Sequence, residues 1–276
     1  MPSVGANNMT DAVLSRQEGA VRILVNNNPA ARNAITAGLY AELPAALAAA
    51  ASDPEVGAIV LTGAGDFFCS GGDLNQLATR RELPPAQRRE KLEGLHGMIR
   101  AIRDCGKPVI AAVEGGAAGA GVSIALACDM LVVARNAFFS VAYVKVGLTP
   151  DGGATAFLSE FVSRQVLTEL CLTGDRVPAE RLHALGAVSR LSDKGTALAE
   201  AVALATRVAS GPARASARIK ALCLHAYGAG LEAQMELEAQ LMVESQGDDE
   251  AAEGIGAFLS KRTPDFIALR GKSNAP

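Results

Sequence analysis

Two apolar runs, each ending in glycines, constrain this chain more than any other feature. Val56-Gly57-Ala58-Ile59-Val60-Leu61-Thr62 leads into Gly63-Ala64-Gly65-Asp66-Phe67-Phe68-Cys69-Ser70-Gly71-Gly72-Asp73. Pro108-Val109-Ile110-Ala111-Ala112-Val113 leads through Glu114 into the glycine-rich residues 115–121. A strand without polar alternation is buried on both faces, which calls for helices above and below a sheet with parallel pairing. An α/β core is therefore expected, with both glycine turns at the carboxyl ends of buried strands.

The rest of the chain fits that frame. Residues 20–26 alternate and are β-branched, as a strand should be. Thr36 is placed to cap a helix reaching Ala51, which Pro44 should kink or split. Residues 85–103 read as a charged amphipathic helix and 122–128 as an apolar one, with short strands at 130–134 and 138–140. Beyond Gly147 helices dominate, starting near Ser163, Pro178, Asp193, Pro212 and Asp248. Residues 1–15 read as a loose tail, 16–205 as the core, and 206–276 as an appended helical layer or an oligomerisation arm. In that last region Asp248, Asp249 and Glu250 come early and Lys261-Arg262 late, the order a helix dipole favours.

Composition removes several classes of function. Of 276 residues 49% are hydrophobic and 20% charged, which excludes wholesale disorder. Lys+Arg 26 against Asp+Glu 29 leaves −3, no basic surplus for a phosphate backbone. An aromatic share of 4% with no Trp offers little for base stacking, so nucleic acid is not an expected partner. Cys69, Cys105, Cys128, Cys171 and Cys223 show no CxxC spacing, and His96, His183 and His225 no paired-ligand spacing; neither a disulfide scaffold nor a metal site is expected. The apolar residues 109–127 are interrupted by Glu114 and glycines, and Met1 opens no basic-then-apolar leader. No membrane association and a cytoplasmic location are expected.

The chemistry is expected at the two glycine turns. Ligands of such sheets gather beyond the carboxyl ends of the strands, so both turns face one crevice. Glycine lets a bound group approach the backbone, and the first amides of a helix have no internal partner. Two turns can thus aim two N–H groups at one oxygen, the geometry of an oxyanion hole. Other readings fail in detail. Gly119-x-Gly121 reaches Ile124 where a dinucleotide fingerprint needs a third glycine, and no GK[ST] marks a P-loop. Gly121-Val122-Ser123-Ile124-Ala125 lacks the last glycine of a nucleophile elbow.

The segments Phe68-Cys69-Ser70-Gly71-Gly72-Asp73-Leu74, residues 107–115, Ala118-Gly119-Ala120-Gly121 and Cys128-Asp129 resemble the crotonase (enoyl-CoA hydratase/isomerase) superfamily. The resemblance runs from Arg32-Asn33-Ala34 through Gly147-Leu148-Thr149-Pro150-Asp151-Gly152-Gly153 to Lys261-Arg262-Thr263-Pro264-Asp265-Phe266, nearly the whole chain in the family's order. It implies a spiral of ββα units with a helical C-terminal trimerisation region, assembled as trimers or as hexamers of paired trimers. It also implies an acyl-CoA thioester as substrate, with coenzyme A carried by the substrate and no separate cofactor. By position, the oxyanion donors are the amides of Ser70 and Ala120, the latter replacing a usual glycine. Arg32, Ala34, Gly71, Gly72, Asp73, Leu74 and Lys261 match segments that hold coenzyme A, Lys261 commonly from a neighbouring subunit.

The resemblance also bears on the reaction. Hydratases of the family carry glutamates where this chain has Ser123 and Tyr143, which disfavours hydration. Asp151 stands where family isomerases place their base, and the Pro150–Gly153 wording is similar to an isomerase of phenylacetate degradation. Isomerisation with Asp151 as the one general acid/base is therefore expected. His96, Tyr143 and Asp151 also match the His, Trp and Asp of dehalogenases in which the aspartate is a nucleophile, so a hydratase-like enzyme or a hydrolase or dehalogenase with Asp151 as nucleophile is the alternative. A non-catalytic acyl-CoA-binding protein is a third. Asp73, Glu114 and Asp129 are expected to serve the framework by hydrogen bonding, and walls for the acyl group are expected from residues 74–89 and the C-terminal helices.

Overall fold

Each long apolar run becomes a strand that passes the chain to a short second strand before a helix begins. The computed structural model describes residues 11–272. In chain order the first half holds β1 (Val13–Glu18), β2 (Val21–Asn26), α1 (Ala37–Ser52), β3 (Ala58–Gly63), α2 (Leu74–Arg80), α3 (Pro85–Arg103), β4 (Val109–Val113), β5 (Gly116–Ala118), α4 (Ala120–Ala127), β6 (Met130–Ala134) and β7 (Phe138–Ser140). The second half holds α5 (Ala154–Ser159), α6 (Arg164–Thr173), β8 (Val177–Pro178), α7 (Ala179–Ala184), β9 (Arg190–Ser192), α8 (Ala197–Ala209), α9 (Ala213–Ala226), α10 (Leu231–Gln246) and α11 (Asp249–Leu259).

The main sheet runs β1-β2-β3-β4-β6-β9 and is parallel except for the β1–β2 hairpin. A smaller sheet, β5-β7-β8, is extended by single parallel bridges, Cys69 to Ala117 and Ile35 to Gly72. The chain thus repeats long strand, short strand, helix: β2, Ile35 and α1; β3, residues 69–72 and α2; β4, β5 and α4; β6, β7 and α5. This is the spiral of ββα units. The short strands lie at the carboxyl ends of the parallel ones, so the site loops are stitched into a second layer.

Both faces of the main sheet are buried, as the unbroken apolar runs require. Ile59, Leu61, Val109, Ala111, Val113 and Val133 join the larger core with α1, α3 and α4. Ala58, Val60, Ile110, Ala112 and Val132 face α8, which meets them with Ala201, Leu204, Ala205 and Ala209. No helix among the described residues is long and apolar enough to cross a membrane.

Several local expectations need correction. Val13, Leu14 and Ser15 are not tail but the start of β1, paired to Asn26, Val25 and Leu24. Thr36 does cap α1, its Oγ1 accepting from the Leu39 amide at 3.2 Å, yet Pro44 does not split the helix. Leu39, Leu43, Leu47 and Ala50 bury one continuous stripe, and that packing outweighs the lost N–H. α8 begins at Ala197, not near Asp193, because Glu114 accepts the Gly195 and Ala197 amides at 3.1 and 2.8 Å and defines the start from another strand.

Candidate active site

Asn33 ties the turn after β2 to the turn after β3. Wholly buried, it donates its amide to the carbonyls of Ala64 at 2.8 Å and Phe67 at 2.5 Å, and accepts from the Asn28 N–H at 2.9 Å. The turns after β3 and β4 then touch through glycine. A Cβ on Gly121 would lie 2.4 Å from the Cys69 carbonyl oxygen, and one on Gly71, where φ is +92°, 2.7 Å from that of Ala118. No side chain fits either place, which is why the two turns can close on each other.

That closure decides which amides remain available. The Ser70 N–H, expected as an oxyanion donor, is spent on the Arg32 carbonyl at 3.0 Å. Its hydroxyl is spent on the Ala31 carbonyl at 3.1 Å. The assignment of Ser70 is therefore corrected: its backbone donor is already satisfied. Two residues on, the Gly72 amide has no acceptor among the described residues. Neither does that of Ala120, the first residue of α4, where helical amides lack internal partners. Gly72 and Ala120 line one cavity of about 210 Å³.

Asp151 lines the same cavity. It is not a helix cap, since α5 starts after Gly153 with no side-chain cap bond. Instead Asp151 Oδ1 accepts from the Tyr143 hydroxyl at 2.7 Å, and its main-chain carbonyl accepts from Ser123 Oγ at 2.9 Å. Burial pushes the Asp151 carboxyl above the ordinary carboxylate range, against the opposing pull of the Tyr143 hydroxyl and, more weakly, of His96 and Arg80. Burial, and next the charge of Asp151, hold the Tyr143 phenol well above its usual value, so it stays a donor. The other acid on the cavity wall, Asp73, is committed to the start of α2 through the Asn75 amide at 2.9 Å and Gln76 Nε2 at 3.4 Å.

Of the remaining expected residues, Leu74 also lines the cavity, and Gly71 is buried behind it. Arg32 and Ala34 are not brought there. The Arg32 guanidinium lies 5.8 Å above the Phe67 ring in a separate recess, and Ala34 is buried. His96 stays on α3, 3.4 Å from Glu93, and Lys261 is exposed beyond α11. The cavity takes its walls from residues up to 151 and none from the C-terminal helices, so the expectation of a C-terminal wall is corrected for the single chain. Glu114 and Asp129 bond within the framework as expected, Asp129 accepting from the Val109 amide at 2.7 Å. Cys69 is sealed in the core, its thiol pushed up to about 12 by burial. Gln76 and Arg80 line the cavity from within the stretch 74–89 expected to wall it, and Tyr40 lines it without having been anticipated. No local spacing marks Tyr40, because the first turn of α1 and α2 meet at the cavity only through the fold.

The enoyl-CoA hydratase/isomerase family model matches residues 16–268. The 2,3-dehydroadipyl-CoA hydratase of Escherichia coli is 34% identical over 258 residues, 94% of this chain and 99% of that protein. The 1,2-epoxyphenylacetyl-CoA isomerase of the same organism is 33% identical over 259 residues, with coverage of 94% and 99%. Among solved structures, an enoyl-CoA hydratase from Polaromonas sp. JS666 superposes with a TM-score of 0.89 at 43% identity, covering 91% of this chain and 98% of that one. With the ββα spiral and the paired glycine turns in place, these matches show that the chain belongs to the enoyl-CoA hydratase/isomerase family.

Proposed function

We propose that the chain isomerises enoyl-CoA thioesters, with Asp151 as the single general acid/base and the Gly72 and Ala120 amides as the oxyanion hole. The observation that carries this reading is that Asp151 is the one acid on the cavity wall, among the described residues, whose carboxylate is not committed to a backbone amide. The carboxylate removes a proton from C2 of a 3-enoyl thioester, and the electron pair passes to the thioester oxygen. Two N–H groups and the positive end of α4 meet that charge as it forms. The acid then returns its proton to C4, leaving a 2-enoyl thioester. A carboxyl raised by burial suits such a shuttle. Tyr143 is a positioning residue, holding Oδ1 and leaving Oδ2 for the proton transfer. No cofactor takes part beyond the coenzyme A of the substrate.

Hydration needs carboxylates to activate water, and the equivalent places are taken. Ser123 is wholly buried with its hydroxyl spent on Asp151, and Tyr143 donates to Asp151. The nucleophilic alternative lacks a histidine on the cavity wall. We also propose self-association through α9–α11, as trimers or paired trimers, supported by their exposed apolar side chains.

Asp151→Asn tests the reaction. On a 3-enoyl-CoA followed by absorbance, turnover falls by about 10³-fold while thioester binding persists; undiminished turnover in the folded variant overturns the assignment.

A further inference from the structure

Arg80 ends α2 and lines the cavity that holds Asp151. It is half-buried, and its guanidinium has no hydrogen bond or ion pair with any described residue. The neighbouring charges are accounted for. Arg81 pairs with Glu82 at 3.3 Å, and Lys145, the other cation on the cavity wall, with Asp175 at 3.4 Å. Asp73 caps α2, and Asp151 is engaged by Tyr143. Arg80 acts on Asp151 only through the field, more weakly than His96, and forms no ion pair with it. Leu77, Leu95, Val146 and Leu148 line the same cavity and give it apolar wall.

A cation that gives up part of its hydration against an apolar wall recovers nothing unless an anion meets it. A guanidinium fork matches a carboxylate, which takes two parallel hydrogen bonds from it. An acyl chain ending in a methyl group does nothing for Arg80. One ending in a carboxylate supplies the missing partner and places the apolar carbons against the leucines. We propose that Arg80 makes this cavity selective for acyl groups with a carboxylate at the far end, so that the substrates are ω-carboxy acyl-CoA thioesters. The inference rests on the reading above only in placing the thioester at Gly72 and Ala120. The phosphates of coenzyme A carry the same anionic chemistry, and the test separates the two sources.

The experiment measures binding, so it does not depend on proton transfer. Saturated acyl-CoAs of about five to eight carbons, ending in either a carboxylate or a methyl group, are titrated calorimetrically into the wild-type protein, Arg80→Leu and Arg80→Gln, with free coenzyme A as a third ligand. At the best length the wild type binds the carboxylate-ended chain about tenfold more tightly than its methyl-ended twin, and both variants abolish that preference while leaving methyl-ended chains and free coenzyme A within about threefold. A wild type without preference overturns the proposal, with no substitution needed. Equal losses for both acyl series and for free coenzyme A overturn it too, and assign Arg80 to the phosphates. A carboxylate preference in a protein that turns over no enoyl-CoA leaves this inference standing and removes the isomerase reading alone.

Discussion

The paired turns and the α9–α11 arm handle charge and apolar surface in opposite ways. In the turns, Asn33 and the Ser70 amide find partners inside, and Phe68, Cys69 and Ala117 are buried. In the arm, Lys220, Asp248 and Glu250 are buried, while Leu231 is 72% exposed, Phe258 84% and Leu259 75%. Asp248 binds Arg218 and Arg214, and Glu250 accepts the Arg214 and Ala215 amides at the start of α9. A layer that turns charge inward and apolar side chains outward is the reverse of a free surface. One chain completes the turns by its own bonds. The arm presents a face that one chain leaves uncovered, the feature that supports the proposed self-association.

The peg that joins the arm to the core is the most sensitive point. Lys220 Nζ lies 2.9 Å from Asp129 and donates to the carbonyls of Ile102 at 3.1 Å and Lys107 at 3.3 Å. Lys220→Ala strands a largely buried carboxylate and is expected to lower stability by about 3–5 kcal/mol in denaturant titration. Recovery of most of that loss in a Lys220→Met, Asp129→Leu pair attributes it to the stranded charge; no loss in the single variant breaks the link between arm and core. Gly121→Ala tests the turns. Driving a methyl into the Cys69 carbonyl should cost about 2–3 kcal/mol and reduce turnover by displacing the Ala120 amide. Wild-type activity would mean that the contact is slack.

Tyr143→Phe has a smaller effect, about tenfold in turnover, with a diagnostic sign. The tyrosine hydroxyl lowers the Asp151 pKa. Without it the carboxyl titrates higher, and the acid limb of kcat/KM moves to higher pH. A limb that stays or moves down contradicts the positioning role. The same shift has a stability side. A carboxyl raised in the folded state stabilises the fold below its ordinary range and loses that contribution as pH rises through the raised value. Asp151→Asn is therefore expected to melt at or slightly above the wild-type temperature at neutral pH, alongside its lost activity. The smallest change to the chain's own fold, about 0.5 kcal/mol, is expected of Phe258→Asp, because that side chain is exposed. Its sedimentation should instead report dissociation; an unchanged sedimentation coefficient removes Phe258 from the assembly surface.

Much of the fold was legible because it is written in local periodicity. The strands at 109–113, 130–134 and 138–140, the α3 helix, the cap at Thr36 and the helix start at Ser163 all stand where the pattern put them. In the site, Ala120, Tyr143 and Asp151 were found by family position and share one cavity. Ser70 was not the free donor, because its amide is claimed by the carbonyl of Arg32 in a distant turn. α10 went unseen because its exposed apolar residues do not form the stripe of an ordinary surface helix.

By itself the sequence determined the alternation of strand and helix, the burial of the sheet on both faces, and the glycines where two turns can meet, since each depends on residues within a few positions of one another. Only the tertiary structure decided which amides stay open at Gly72 and Ala120, how burial and Tyr143 set the proton affinity of Asp151, and that the Arg80 guanidinium forms no ion pair among the described residues. Hydrogen bonds and fields act through space, and the partners that satisfy or withhold them lie far apart along the chain.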